Sequence, residues 1–336
     1  MLYSFARNLL FQVDPERAHA LSLQALTGAA RCGLVKPGAP RTVQPRTVMG
    51  LSFPNPLGIA AGLDKNAEYL DGLGALGVGF VEVGTVTPRP QPGNPKPRVF
   101  RLPEVEGVIN RLGFNNNGVD YLLQQVARSG YRGILGINIG KNFDTPLERA
   151  VDDYVLALRR VAPHAHYVTV NISSPNTANL RELQGDDALY RLLAALKATQ
   201  QALADGTGRY VPIALKIAPD LTAAQVEAIA RRLIAHRMDA VIATNTTVGR
   251  DTVAGHPLAS ETGGLSGAPL HEAALTVVRT LAHALDGALP IIGVGGITSG
   301  ARAKAMLEAG ASLIQIYTGL IFRGPALVDE ILEAIA

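Results

Sequence analysis

From residue 50 onward, short apolar runs alternate with longer stretches in which apolar residues recur every three or four positions. The runs fall at 57–61, 80–84, 134–138, 167–171, 212–217, 240–244, 290–294 and 312–317. They are rich in Val and Ile and show little alternation of polar and apolar residues, as parallel strands do when both faces are covered. Helical spacing fills most of the gaps, for example at 151–161, 188–203, 223–236 and 269–285. Eight strand–helix units in one row predict an α/β fold of the (β/α)₈ (TIM) barrel type. An open doubly wound sheet is the alternative that the same alternation allows.

The first 45 residues are different in kind. Leu2, Phe5, Leu9, Leu10 and Val13 recur at helical spacing. Asp14 then suits an N-cap and Pro15 the first position of a second helix, on which Ala18, Leu21, Ala25 and Ala29 form an apolar stripe. Gly33 and Pro37 end it, and a Pro-rich stretch leads on. The expected division is therefore a helical pair at 1–45 and a barrel at 46–336. A barrel needs about 250 residues, and 336 residues with 47% hydrophobic content supply it.

Charge and cysteine narrow the picture. The net charge of +3 is too small to argue for nucleic acid as a partner. Its distribution is uneven. Residues 1–50 hold Arg7, Arg17, Arg31, Lys36, Arg41 and Arg46 against Asp14 and Glu16, a local +4, so the remainder carries −1. No apolar run approaches the roughly 20 residues of a membrane span, and Asp14-Pro15-Glu16 interrupts the start before it can read as a signal peptide. The single cysteine, Cys32, excludes an internal disulfide and any iron–sulfur site built by this chain alone. His164 and His166 lack the spacing of a zinc motif, so no metal site is expected.

In a (β/α)₈ barrel the chemistry gathers at the C-terminal ends of the strands. Those ends here carry Ala61-Gly62-Leu63-Asp64-Lys65, Gly84-Thr85, Asn138, Asn171, Lys216, Thr244-Asn245-Thr246, Gly293-Val294-Gly295-Gly296 and Tyr317-Thr318-Gly319. Glycine loops after strands 7 and 8, each followed by a helix start at Ser299 or Pro325, fit the usual phosphate site. Lys216, among apolar neighbours, has two readings. It is a Schiff-base lysine of an aldolase, or a fixed cation beside a flavin. Glu82 and Asp64 are the only carboxylates near these ends, fewer than aldolase proton transfers want. An amide-rich rim, with one donor and one acceptor per Asn, fits a planar heterocycle better. The stretch Gly72-Leu73-Gly74-Ala75-Leu76-Gly77 matches G-x-G-x-x-G but closes a helix and precedes a strand, the reverse of a dinucleotide site.

Four segments carry a resemblance. They are 61–65, 110–116 (Asn-Arg-Leu-Gly-Phe-Asn-Asn), 171–177 (Asn-Ile-Ser-Ser-Pro-Asn-Thr) and 293–297. Together they closely resemble the dihydroorotate dehydrogenase family, in its quinone-reducing, membrane-associated class, over essentially the whole chain. The resemblance implies oxidation of dihydroorotate to orotate in pyrimidine (UMP) biosynthesis, using FMN in the barrel. It implies FMN contacts at Ala61, Gly62, Lys65, Thr85, Asn138, Asn171, Lys216, Thr244, Gly267, Gly296, Tyr317 and Thr318. Substrate contacts are implied at Lys65, Asn110, Arg111, Leu112, Gly113, Phe114, Asn171, Asn176, Asn245 and Thr246. Ser174 would be the base that takes the C5 proton as a hydride leaves C6 for the flavin. A cysteine at that place marks the soluble class, so its absence and the N-terminal pair point to the quinone class. His19, Arg101 and Tyr317 would lie near the quinone head. Peripheral attachment to the cytoplasmic face of the cell membrane follows, with no obligate protein partner. One question stays with the residues themselves: no His or carboxylate adjoins Ser174 in sequence, and Thr177 is the nearest group able to pass its proton toward water.

Two rival readings predict different features. Another FMN barrel, a tRNA dihydrouridine synthase, needs a basic face or an RNA-binding domain. A membrane-recruited binding module leaves the polar strand ends idle.

Overall fold

The computed structural model describes residues 2–34 and 41–336; Lys36 and Pro37, with the proposed stop of the second helix at Pro37, lie outside them. Eight parallel strands close into a barrel, each paired with the next in the chain and the last with the first. They are β1 (Leu57–Ile59), β2 (Phe80–Val86), β3 (Ile134–Ile139), β4 (Tyr167–Asn171), β5 (Ile213–Ile217), β6 (Ala240–Ala243), β7 (Ile291–Val294) and β8 (Leu313–Ile316). All eight fall on the apolar runs, and the four expected barrel helices form at Ala150–Val161, Asp186–Thr207, Ala223–Ala235 and His271–Leu285. The G-x-G-x-x-G stretch lies where the helix Leu70–Gly74 ends ahead of β2.

Side chains alternate across each strand, and the two faces of these strands have different chemistry. Val81 and Val83, Leu135 and Ile137, Val168 and Val170, Leu215 and Ile217 belong to the outer core under the helices. The inward positions begin apolar at the bottom, where Phe53, Phe80 and Tyr167 meet edge to face at 5.2 and 6.3 Å. Glycines make room for these rings. A Cβ on Gly58 would lie 2.4 Å from the Phe80 ring, and one on Gly136 would lie 2.3 Å from Tyr167. One layer higher, the inward positions turn polar at Glu82, Asn138, Thr169, Lys216 and Gln315, all buried. The strands therefore do alternate, with polar groups hidden inside the barrel.

Two small sheets escape the sequence pattern. A hairpin, Arg46–Val48 with Leu51–Phe53, brings Phe53 to the barrel floor, and an antiparallel sheet of Val99–Leu102, Gly107–Asn110 and Gly264–Gly267 stands beside the mouth. Their strands are three or four residues long, too short for a periodic signal.

The N-terminal helices, α1 (Leu2–Leu10) and α2 (Pro15–Arg31), form as expected, and the Asp14 side chain caps α2 by accepting from the Arg17 N–H. The expected apolar stripe of α2 needs correction. Its buried residues are Ala18, Leu23, Thr27 and Ala30, whereas Leu21 is 52% exposed and Ala25 is exposed. The cause is the partner surface. Gly72 leaves a notch in which a Cβ would sit 2.6 Å from Thr27 Oγ1, so α2 docks through a small polar residue. Among the described residues no helix is long and apolar enough to cross a membrane.

Candidate active site

The strand ends surround a cavity at the barrel mouth. Ala61, Gly62, Lys65, Thr85, Asn171, Lys216, Thr244, Gly267, Gly296, Tyr317 and Thr318 line it. So do Asn110, Leu112, Gly113, Phe114, Ser174, Asn176, Asn245 and Thr246. Two of the expected residues stand apart. Asn138 is fully buried one layer below, bonded to Glu82 and Thr85. Arg111 turns outward, paired with Glu261 at 2.6 Å and stacked 4.5 Å over Phe100. Ala60, Ser266, Leu270 and Gln315 also line the cavity and carry no sequence motif.

The rim is held by hydrogen bonds that run across four strands and their loops. Asn245 Nδ2 donates to Ser173 Oγ (3.0 Å), which donates to Asn171 Oδ1 (3.0 Å). Asn171 Nδ2 donates to Thr85 Oγ1 (3.0 Å), Thr85 to Asn138 Oδ1 (2.7 Å), and Asn138 Nδ2 to Glu82 Oε1 (2.8 Å). Asn110 faces Asn176 across the cavity edge at 3.3 Å. Arg181, unmarked in the sequence, ties the loops together. It donates to the carbonyls of Ser173 (3.0 Å) and Thr246 (2.9 Å) and pairs with Asp220 at 2.7 Å.

Both lysines are desolvated. Burial draws Lys65 down to about 8, with Glu16 opposing the shift, while its ammonium donates to the Gly62 carbonyl at 2.8 Å. Burial likewise lowers the Lys216 pKa, opposed by the Glu82 charge, and the Lys216 ammonium makes no hydrogen bond among the described residues. Asp64 is not in the cavity. Its carboxylate accepts from the Glu68 and Tyr69 N–H groups, and burial raises it to about 6. Ser174 is buried. Its Oγ accepts from the Asn176 N–H at 3.2 Å, and nothing described draws off its proton; Thr177 Oγ1 close by in the chain is buried without a partner.

On the opposite wall Gly295, Gly296 and Gly319 expose main chain. A Cβ on Gly296 would meet the His271 backbone at 2.6 Å, and one on Gly319 would meet the Ile297 carbonyl at 2.2 Å. The helix expected at Pro325 forms at Ala326–Ala334 with Pro325 as its N-cap, and a further short helix, Thr318–Arg323, precedes it and ends at Gly324. The helix after Gly296 starts at Gly300, capped by Ser299.

A second cavity lies under the helical pair. Leu10, Phe11, Leu23, Leu26 and Leu320 make it largely apolar, and His19, Arg101 and Tyr317 all line it. Burial lowers the His19 pKa to about 4, helped by the Lys65 charge, so the ring is neutral at ordinary pH. Arg101 donates to the Phe11 and Val13 carbonyls and stacks 4.7 Å over the Phe11 ring. Burial pushes Tyr317 up to about 12. Lys65, Asn110, Leu112 and Tyr317 line both cavities and form the wall between them.

A barrel enzyme is the class this defines, with fixed amides and desolvated cations converging at the C-terminal ends of its strands. The family model for dihydroorotate dehydrogenase matches residues 44–336. Over 336 residues, spanning all of both chains, the sequence is 64% identical to the dihydroorotate dehydrogenase (quinone) of Thiobacillus denitrificans. It is 62% identical over 333 residues, 98% of each chain, to that of Methylobacillus flagellatus. The crystal structure of DHODH from Eimeria tenella in complex with ferulenol superposes with a TM-score of 0.87 at 36% identity, covering 96% of this chain and 90% of the other. The chain belongs to the dihydroorotate dehydrogenase family.

Proposed function

We propose that the chain oxidises dihydroorotate to orotate in pyrimidine (UMP) biosynthesis, with FMN in the barrel cavity and a membrane quinone as electron acceptor in the second cavity. The observation that carries this reading is the wall. Two cavities of different chemistry stand back to back and share Lys65, Asn110, Leu112 and Tyr317 as lining. That geometry suits a two-electron carrier reached by a polar substrate from one side and an apolar one from the other.

The barrel cavity fits FMN by its donor set. Among the described residues Lys216 is a buried cation without a hydrogen bond and Gln315 Oε1 is a buried acceptor without a partner, and Gly295, Gly296 and Gly319 offer bare main chain to a phosphate. Ala61, Gly62, Thr85, Thr244, Gly267, Tyr317 and Thr318 complete the lining, with Asn138 supporting Thr85 from below. When bound, FMN supplies the hydride acceptor that no side chain can provide. Lys216 would balance negative charge near it. Asn110, Asn171, Asn176, Asn245 and Thr246 would bind the N–H and C=O groups of the pyrimidine ring, and Lys65 its carboxylate. Leu112, Gly113 and Phe114 would close over the ligand and exclude water, with Arg111 holding their segment to Glu261. Ser174 would accept the C5 proton.

The second cavity would take the quinone head between His19, Arg101 and Tyr317. Phe5 (67% exposed), Leu9 (58%) and Leu21 (52%) on the outer side of the helical pair, among Arg7, Arg17 and Arg31, suit peripheral attachment to an anionic bilayer at the cytoplasmic face of the cell membrane. The test is anaerobic. Dihydroorotate, and not NADH, should bleach the yellow protein, and a quinone analogue should restore its colour. Bleaching by NADH, or none by dihydroorotate, refutes the reading.

A further inference from the structure

Leu112, Gly113 and Phe114 line the barrel cavity, and their segment is held from behind by residues outside the lining. Four consecutive carbonyls each accept a hydrogen bond there. Asn94 gives its Nδ2 to the Arg111 carbonyl (2.8 Å) and its main-chain N–H to that of Leu112 (3.1 Å). Gln91 gives its Nε2 to the Gly113 carbonyl (2.9 Å), and Asn116 its Nδ2 to that of Phe114 (2.7 Å). The grip at Gly113 differs from the others in what it opposes. Gly113 and Phe114 both have positive φ, +71° and +54°. Glycine is at ease there, and a phenylalanine is not. The rigid peptide unit between them could turn over about its flanking bonds, moving the ψ of Gly113 and the φ of Phe114 together by about half a turn. Phe114 would then reach the extended region that bulky side chains prefer, and Gly113, with no Cβ, would not resist. Among the described residues the carbonyl of this peptide bonds to Gln91 alone, and its N–H, that of Phe114, has no partner.

The Gln91 amide itself cannot turn. It is buried, and its Oε1 accepts from the Phe143 main-chain N–H at 3.0 Å and from Asn142 Nδ2 at 2.9 Å. A main-chain N–H is only a donor, so the NH₂ of Gln91 is what remains for Gly113. The Gln91 backbone is fixed as well, paired in both directions with Asn116 at 3.0 Å. We infer that Gln91 is a positioning residue: through the Gly113 carbonyl it holds the Gly113–Phe114 peptide against turning over, and so keeps the wall that Phe114 forms in the conformation that receives the pyrimidine, without touching the ring. A trans peptide points its carbonyl and its N–H opposite ways. Turned over, it would put a carbonyl oxygen in place of the Phe114 N–H on the side away from Gln91.

This inference rests on the function proposed above, and one experiment separates the two. Anaerobic holoenzyme is mixed with increasing dihydroorotate in a stopped-flow instrument, and bleaching of the flavin gives a half-saturating concentration and a limiting rate. Gln91→Glu keeps an acceptor for Phe143 and Asn142 but offers Gly113 a second acceptor, so the turned-over peptide, whose N–H then faces the carboxylate, is favoured. Half-saturation should rise by about tenfold to a hundredfold, the range for a hydrogen bond to a charged group. The limiting rate should stay within about threefold, because bound substrate selects the unturned peptide. Gln91→Met keeps the bulk and removes the donor. It should raise half-saturation by about fivefold to thirtyfold, the cost of a left-handed residue other than glycine. In a Phe114→Gly background, weaker in itself, the same Met substitution should add no more than about twofold, since glycine takes either conformation alike. If Gln91→Glu does not accumulate as holoenzyme, the Met cycle decides alone. Wild-type half-saturation in the Gln91 variants, a fall in limiting rate that matches the rise in half-saturation, or an equal Met penalty with Phe and with Gly at 114 each overturns the inference alone. A wild type that dihydroorotate does not bleach overturns the proposed function, and this inference with it.

Discussion

The two cavities share a wall and are built by opposite means. In the barrel cavity almost every polar group is fixed by another one. Asn171 alone engages Thr85 and Ser173, and Arg181 locks the loop carrying Ser174 to the loop carrying Thr246. The cavity under the helices is lined by Leu10, Phe11, Leu23, Leu26 and Leu320, which hold their places by packing. Of the polar residues beside them, His19 is neutral, and Arg101 spends its donors on the α1–α2 turn. A ligand with a pattern of donors and acceptors demands groups that cannot turn. A flat apolar ligand demands only room and the exclusion of water, which helices laid over a barrel supply cheaply.

The sharpest test of this contrast is at Ser174. If the barrel cavity holds the proton-transfer chemistry, Ser174→Ala should keep its cofactor and slow anaerobic reduction by dihydroorotate by about 10²–10⁴, as the loss of a general base does. Reoxidation by a quinone analogue should be unchanged. Stopped-flow traces give both numbers, and an unslowed reduction removes Ser174 from the chemistry.

Lys65 sharpens the comparison through pH, because it faces both cavities. With its pKa lowered to about 8, it is charged below that pH and neutral above it. An anionic substrate should therefore lose affinity as pH rises past 8, by up to about tenfold per unit, while the apolar quinone analogue does not. Lys65→Met should flatten the orotate profile. Constant orotate affinity between pH 7 and 9.5 would rule out the lysine as the anion's partner.

Arg101→Met breaks the other side. It frees the Phe11 and Val13 carbonyls and the ring of Phe11, so quinone-analogue turnover should fall by about tenfold, the lower bound for one charged hydrogen bond. Reduction by dihydroorotate should not change. A parallel loss in both half-reactions would mean that the cavities are not separable.

The smallest effect is expected at the seam. Gly72→Ala drives a methyl into Thr27 and should cost about 1–3 kcal/mol, a few degrees in Tm, by lifting α2. Thermal melting with and without the quinone analogue should show weaker stabilisation by the ligand in the variant. Equal stabilisation would detach the second cavity from the docking of α2.

Much of this was legible in the chain because it was local. Each barrel strand announced itself as an apolar run, and each strand end displayed its polar residue in place. Legibility failed where the partner lay far off in sequence. Gln315 reads as one polar residue in an apolar strand, and only closure of β8 on β1 puts it in the cavity lining beside Glu82. Arg181 and Ser266 look like ordinary loop residues until the loops meet. Arg111 and Asn138 sit in the right segments, yet one turns outward to Glu261 and the other lies a layer below.

The sequence by itself determined the barrel, the helical pair and the set of residues available at the strand ends, because hydrophobic periodicity and turn chemistry act over a few residues. The tertiary structure alone decided which of those residues share a cavity and which way round each amide points. It also decided which face of α2 is buried, where Thr27 and not Leu21 meets Gly72. Those outcomes depend on shape and on donors paired with acceptors across the closed barrel, and no local pattern along the chain encodes such pairings.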